Sequence, residues 1–198
     1  MDTSDKHFFR GAEVLTRAMM RLADARLKPR TCYSDVEDEP KDLAPAKKHI
    51  RKSVIIIENE LNRMRKNKRA KAIFKKHLGR KPTDQELALI IFLMIGNAIQ
   101  DDLVYGNFSV SHLVRALPWD KTSDDVSVLS YFQLFCKNSD LRTKNIIYIT
   151  NIRKNSVNLA SCHVVLSEHV FRDLLGLDQD KEVHLLEFTA ENDLVMIR

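Results

Sequence analysis

Cysteine and histidine, the side chains best suited to catalysis or metal binding, are scattered along this chain without a recognisable spacing. The three cysteines, Cys32, Cys136 and Cys162, form no CxxC pair and stand at no zinc-like distance from a histidine. None of the seven histidines lies in an HExxH motif or at a triad-like spacing. Because GxxxxGK[ST], GxGxxG and GxSxG motifs are also missing, the sequence predicts a non-enzymatic chain without a cofactor or a metal.

Binding chemistry is concentrated in a basic stretch between residues 47 and 81. This stretch carries fourteen lysines and arginines, opposed only by Glu58 and Glu60, although the formal net charge of the whole chain is +5. Such a stretch can contact phosphate backbones or an acidic protein surface, or it can simply be solvated, and the sequence leaves all three interpretations open. The candidate partner or phosphate contacts are Lys47, Lys48, Arg51, Lys52, Arg63, Lys66, Arg69, Lys75 and Lys76, with Arg153 and Lys154 in a later polar turn.

Helices must carry this basic stretch. Apolar residues recur at helical spacing over residues 4–27 and from Ala46 to about Asn67, and residues 68–78 continue or restart the second helix before Gly79. Residues at about 30–45 contain two prolines, a cluster of four acidic side chains at 35–39 and hardly any large apolar group. The sequence therefore predicts a helical segment over residues 1–81 with a mobile acidic linker at about 30–45.

The most apolar helix is predicted directly after the basic stretch. Thr83 and Glu86 match a capping box at its start, and we expect it to end near Gln100. The run from Leu87 to Ile95 is apolar on nearly all sides, which predicts the centre of the core. It is shorter than the ~20 residues needed to cross a bilayer. The odd cysteine count and the absence of signal-peptide features favour a cytoplasmic protein without a membrane partner.

The order of predicted elements over residues 82–176 is that of a winged helix-turn-helix domain. The first helix is followed by an extended step at 107–109, helices at 111–117 and 123–137, and strands at 146–150 and 162–166. Ser167 then caps a short helix that ends at Gly176, and residues 177–198 form a C-terminal extension with strands. The predicted fold class is mainly α with a small β-hairpin (α+β), with the helical N-terminal segment preceding the winged-helix domain.

Acidic residues near the third predicted helix disfavour DNA reading. The N-terminal end of a recognition helix meets base edges, yet this region contains Asp120, Asp124 and Asp125. Carboxylates at that position would repel phosphates. We therefore expect a protein partner. The alternative is a winged-helix DNA-binding regulator that contacts the phosphate backbone through the basic 47–81 helices and through Arg153 and Lys154 of the wing.

Four stretches carry a family resemblance: Gln85–Gly96, Asn107–Leu117, Ser139–Ile149 and Val164–Gly176. Their hydrophobic spacing resembles the region N-terminal to the ATPase module in a group of bacterial AAA+ ATPases, over roughly residues 70–177. In that group a helical segment and a winged-helix-like domain precede the nucleotide-binding module. The resemblance implies a non-catalytic recognition or regulatory region that selects the partner of an ATPase.

This sequence departs from that group because the phosphate loop and the acidic metal-binding motif of the ATPase module are absent. No catalytic residue is therefore carried over. The sequence ends close to the apolar run Leu194–Ile197, which favours an N-terminal part of a longer protein. A stand-alone relative is the other interpretation.

Overall fold

The computed structural model describes residues 3–27, 43–98, 108–117, 131–150, 158–177, 186–188 and 194–196. The helices are α1 (Thr3–Leu27), α2 (Leu43–Lys66), α3 (Lys68–Leu78), α4 (Asp84–Ala98), α5 (Val110–Ala116), α6 (Asp140–Thr143) and α7 (Glu168–Leu175). The strands are β1 (Phe108–Ser109), β2 (Ile147–Thr150), β3 (His163–Leu166), β4 (Leu186–Phe188) and β5 (Leu194–Met196). A mainly helical α+β class is thus confirmed.

Helices α1 and α2 pack against each other as an antiparallel pair. Gly11, near the start of α1, faces the end of α2, where a Cβ atom would lie 3.1 Å from Oε2 of Glu60 and 3.4 Å from Cε of Met64. The missing side chain therefore permits a close approach of the two helices. Helix α2 begins three residues earlier than predicted, because Pro45 falls in its first turn, where the missing amide hydrogen would have had no partner.

Helix α3 restarts after a one-residue break. Asn67 lies between the two helices with an extended backbone. Its side chain accepts a hydrogen bond from the Ala70 amide at 3.1 Å, which caps α3. Gly79 ends α3 in the left-handed conformation, with φ of 70°, as the sequence predicts.

Helix α4 begins with the predicted capping box and is buried along most of its length. The Thr83 amide donates to Glu86 Oε2 at 2.8 Å, and the Glu86 amide donates to Thr83 Oγ1 at 3.2 Å. Every residue from Leu87 to Ile95 is buried, with α1, α2 and β3 packed against the helix. Core residues of the 1–81 and 82–176 segments form one hydrophobic cluster. The division into two domains stays a prediction.

The three-stranded sheet has β3 at its centre, with β1 and β2 paired antiparallel on either side. Phe108 lies opposite Val164, and Ile147 lies opposite Leu166. Pairing of β2 with β3 confirms the predicted hairpin, and β1 adds a third strand to it. The polar turn at 151–158 that is predicted to form the wing lies outside the described residues except for Asn158.

The third predicted helix ends earlier in the structure than the sequence predicts. Residues 118–130, which include Asp120, Asp124 and Asp125, lie outside the described part of the chain. A 3₁₀ turn at Gln133–Phe135 then leads into extended Cys136, so the predicted end at Lys137 is wrong. The physical reason is a competing helix start, because the Ser139 side chain caps α6 and the chain must leave the previous helix before it.

The C-terminal elements agree with the predicted positions. Helix α7 ends at Gly176, whose φ of 70° is left-handed, although the hydroxyl of Ser167 at its start makes no capping hydrogen bond. Strands β4 and β5 pair antiparallel. Among the described helices, none is both long and apolar enough to span a membrane.

Replacing Gly96 with alanine tests the packing of α4 on β1. In a helix interior, alanine is normally more favourable than glycine by about 1 kcal/mol. At this position the added Cβ would lie 2.5 Å from Cε2 of Phe108, whose ring packs edge-on against Phe92 with 4.7 Å between centroids. We therefore expect Gly96→Ala to lower the free energy of unfolding by about 1–3 kcal/mol in urea denaturation.

Gly79→Ala is the matched control, because nothing lies within 4 Å of its added Cβ. It should cost only the backbone strain of a left-handed alanine, about 1 kcal/mol. Phe108→Leu combined with Gly96→Ala should be less destabilising than the sum of the two changes. A Gly96→Ala protein as stable as the original would contradict the close contact.

Candidate functional site

The outward face of α2 carries a long row of polar and basic side chains, here called the α2 stripe. At 3.6 residues per turn its members fall within an arc of about 100° and span about 27 Å along the helix. All are exposed, and none is a carboxylate. The α2 stripe consists of Lys48, Arg51, Lys52, Ile55, Asn59, Asn62 and Lys66.

The cations of the α2 stripe have no side-chain partner within the described part of the chain. Lys48, Arg51, Lys52 and Lys66 make no ion pair or side-chain hydrogen bond there. Arg63, beside the stripe, differs because its Nη1 contacts Oε1 of the nearly buried Glu60 at 2.8 Å. The next cation, Arg65, forms an ion pair with Asp84.

Arg69 holds α3 against α1 and α7. Its Nη2 donates to the main-chain oxygen of Leu174 at 3.0 Å, at the C-terminal end of α7, where a cation is favourable. The guanidinium carbon lies 5.8 Å and 5.4 Å from the ring centroids of Phe8 and Phe9. Arg69 is half-buried in this junction, so its guanidinium already serves contacts inside the protein.

Asp173 binds the end of α3 to α7. Its Oδ2 lies 2.6 Å from Nζ of Lys76 and 2.6 Å from Nε2 of His77. Partial burial acts to raise the pKa of Asp173, but these two contacts outweigh it and hold the pKa below its ordinary value. Lys76, a predicted partner contact, is therefore paired internally although its side chain remains accessible.

Arg80 joins the end of the basic stretch to the start of α4 and to α6. Its Nη1 and Nη2 donate to the two oxygens of Glu86 at 2.8 and 2.7 Å, and its Nε donates to Asp140 at 2.8 Å. The hydrogen bonds to Glu86 hold the pKa of Arg80 well above its usual value. Burial acts to raise the pKa of Glu86, but the bonds from Arg80 and Thr83 outweigh it and lower that pKa.

The predicted contact residues therefore fall into different environments. The α2 stripe holds Lys48, Arg51, Lys52 and Lys66, and Lys75 is exposed on α3 in a second row with Lys68 and Lys71. Arg63, Arg69 and Lys76 have partners within the chain. The side chain of Lys47 and all of Arg153 and Lys154 lie outside what the structure describes.

Two residues, Ile55 on the α2 stripe and Arg26 at the end of α1, have environments that the sequence does not predict. Nη1 of Arg26 donates to the main-chain oxygens of Arg115 and Leu117 at 2.6 and 2.7 Å, and burial lowers the pKa of Arg26 to about 10. Its position in the last turn of α1 gave no sign of these partners. Ile55 is 52% exposed, and only its helical phase, which points away from the side of the buried residues Val54 and Ile57, could have indicated this.

Groups suited to metal binding do not gather in the described residues, where no three His, Cys, Asp or Glu side chains are placed to hold an ion. The thiols of Cys136 and Cys162 donate to main-chain oxygens, that of Cys136 to Phe132 at 3.5 Å and that of Cys162 to Asn158 at 3.6 Å. No protein-family profile matches this chain, and neither curated proteins nor solved structures give a significant match.

Replacing Glu86 with glutamine tests the ion pair at the start of α4. The folded-state pKa of Glu86 is below its ordinary value of 4.5. Its charge therefore stabilises the folded protein above pH 4.5, and this contribution is lost as the pH falls through the folded-state pKa. We expect Glu86→Gln to lower the free energy of unfolding by about 1–2 kcal/mol at pH 7 in urea denaturation, and by less at pH 3.

Glu13→Gln provides the control, because Glu13 pairs with Arg17 on an exposed face of α1. Loss of this surface pair should change the free energy of unfolding by less than about 0.5 kcal/mol at either pH. Equal effects of Glu86→Gln at pH 7 and pH 3 would show that the charge of Glu86 does not stabilise the fold.

Proposed function

We propose that this chain is a non-catalytic recognition module of the kind that precedes the ATPase module in AAA+ ATPases. Its 82–176 segment is a winged helix, and its partner is a protein. The observation that carries the proposal is the strand order β1-β3-β2, in which the short strand after α4 completes a sheet with the later hairpin.

The order of the described elements supports the winged helix. Helix α4 is followed by β1 and α5, and the β2–β3 hairpin comes later in the chain. A strand between the first two helices that pairs with a C-terminal hairpin gives the sheet against which the helices of such a domain pack. Here β3 contacts α4, the most buried of the described helices.

The AAA+ assignment is supported by where the resembling stretches fall. The run Gln85–Gly96 lies in α4, and Asn107–Leu117 covers β1 and α5. The two later stretches span α6 to β2 and β3 to α7. Hydrophobic spacing shared with that group therefore coincides with the regular elements that build the core of this segment.

The pairing of several cations within the chain favours a protein partner over DNA. Arg69, Lys76 and Arg80 neutralise carboxylates and helix ends within the chain, which leaves less charge for phosphate contacts. The three aspartates near the third predicted helix also oppose a phosphate backbone. The α2 stripe is the feature that favours the second candidate, a DNA-binding regulator, because it contains no carboxylate.

The winged helix requires a third helix between α5 and the 3₁₀ turn. Backbone chemical shifts measured by NMR should show a helix from Ser123 to Phe132, because Ser123 can cap it and apolar residues recur at helical spacing. The shifts of α5 serve as an internal reference for a short helix. Random-coil or extended shifts over residues 123–130 would remove the winged-helix assignment.

Titration with a duplex of 20 base pairs separates the two candidate functions. The recognition-module proposal predicts a dissociation constant above about 10 µM at 150 mM salt, which is within the range of non-specific electrostatic binding. It also predicts that Arg153→Glu with Lys154→Glu changes this weak affinity no more than Lys68→Glu with Lys71→Glu. Submicromolar binding that weakens steeply with salt and depends on the 153–154 pair would support the DNA-binding regulator instead.

A further inference from the structure

Like charges are crowded on the N-terminal half of α2. Lys48 and Lys52 are four residues apart, and Arg51 lies three residues from Lys48, so the three cations are neighbours on one helical face. The first turn of α2 contains no acidic residue that would oppose them. This arrangement disfavours the free helix, and a negatively charged partner would relieve the repulsion.

Ile55 lies one turn further along the same face and is 52% exposed. A single exposed apolar side chain is common on protein surfaces and is uninformative by itself. Here three cations that form no ion pair within the described part of the chain precede it, Asn59 and Asn62 follow it on the same face, and exposed Glu58 lies just outside the edge of the stripe. An apolar centre with a polar rim is the usual anatomy of a protein interface.

We infer that the α2 stripe is the docking surface for an acidic protein segment that presents one large apolar side chain flanked by carboxylates. The carboxylates pair with Lys48, Arg51 and Lys52, and the apolar side chain covers Ile55. Charge complementarity selects an acidic partner, and Ile55 favours a protein over a nucleic acid bound through its phosphate backbone, because phosphates gain nothing from an apolar contact. The inference rests on the proposed recognition function and gives its partner a chemical class.

Two labelled peptides test the inference with the full chain. Both are 20-residue helical peptides of glutamate and alanine, and they differ only in a central leucine or serine. Fluorescence anisotropy should show the leucine peptide binding at least about fivefold more tightly than the serine peptide. Ile55→Ser should abolish this preference, whereas Val14→Ser, at an exposed apolar position of α1, should leave it unchanged.

The charge requirement is tested by two triple variants with the same change in net charge. Lys48→Glu/Arg51→Glu/Lys52→Glu should weaken binding of the leucine peptide by at least about tenfold. Lys68→Glu/Lys71→Glu/Lys75→Glu, on the exposed row of α3, should weaken it by no more than about twofold, since distant exposed charges are screened. Circular dichroism should confirm that both variants keep their helical content.

Three results would overturn the docking surface: equal losses in the two triple variants, no leucine preference, or no binding of either peptide. If the α3 variant alone loses binding, the recognition function stands and only its assignment to α2 fails. A duplex of matched charge that binds more tightly than the leucine peptide and ignores Ile55→Ser would contradict both the docking surface and the proposed function.

Discussion

Helix α4 must be shielded from water, because every side chain from Leu87 to Ile95 is apolar. All of these side chains are buried. Surfaces from α1, α2 and β3 must therefore enclose it, and this requirement brings both segments of the chain into one hydrophobic cluster. The capping box at Thr83 and the Arg80–Glu86 pair fix where the enclosed helix starts. The sheet and the α1–α2 pair are positioned by the same enclosure.

Electrostatics divides the basic stretch into two parts with different roles. From Arg65 onward, several cations are paired with carboxylates or main-chain oxygens of the later segment, as in the contact of Arg69 with Leu174. These contacts hold the end of α2 and helix α3 against the later segment. The cations of the α2 stripe lie on the face of α2 opposite to the core and have no such partners among the described residues. The proposed docking surface is thus one of two rows of positive charge without partners among the described residues, the other being Lys68, Lys71 and Lys75 on α3.

Local patterns were sufficient for the features that depend on neighbours in sequence. The capping box, the Gly79 cap and the burial of α4 followed from residues within a few positions of one another. The Ser139 cap is also local, but the apolar spacing continues past the true end of the third predicted helix, so that spacing alone makes the helix too long. The partner of Arg69 lies 105 residues away, so no local pattern could identify it. For the same reason, the sequence predicts Arg69 and Lys76 as partner contacts together with the α2 cations, since composition does not distinguish a cation that is paired within the chain from one that is not.

NMR shift mapping with the leucine-containing acidic peptide would locate the peptide contact on the chain. If the α2 stripe is the docking surface, the largest amide shift changes fall between residues 48 and 66, with the strongest near Ile55, while residues 68–81 change little. Shift changes centred on α3 or on residues 151–157 would contradict it.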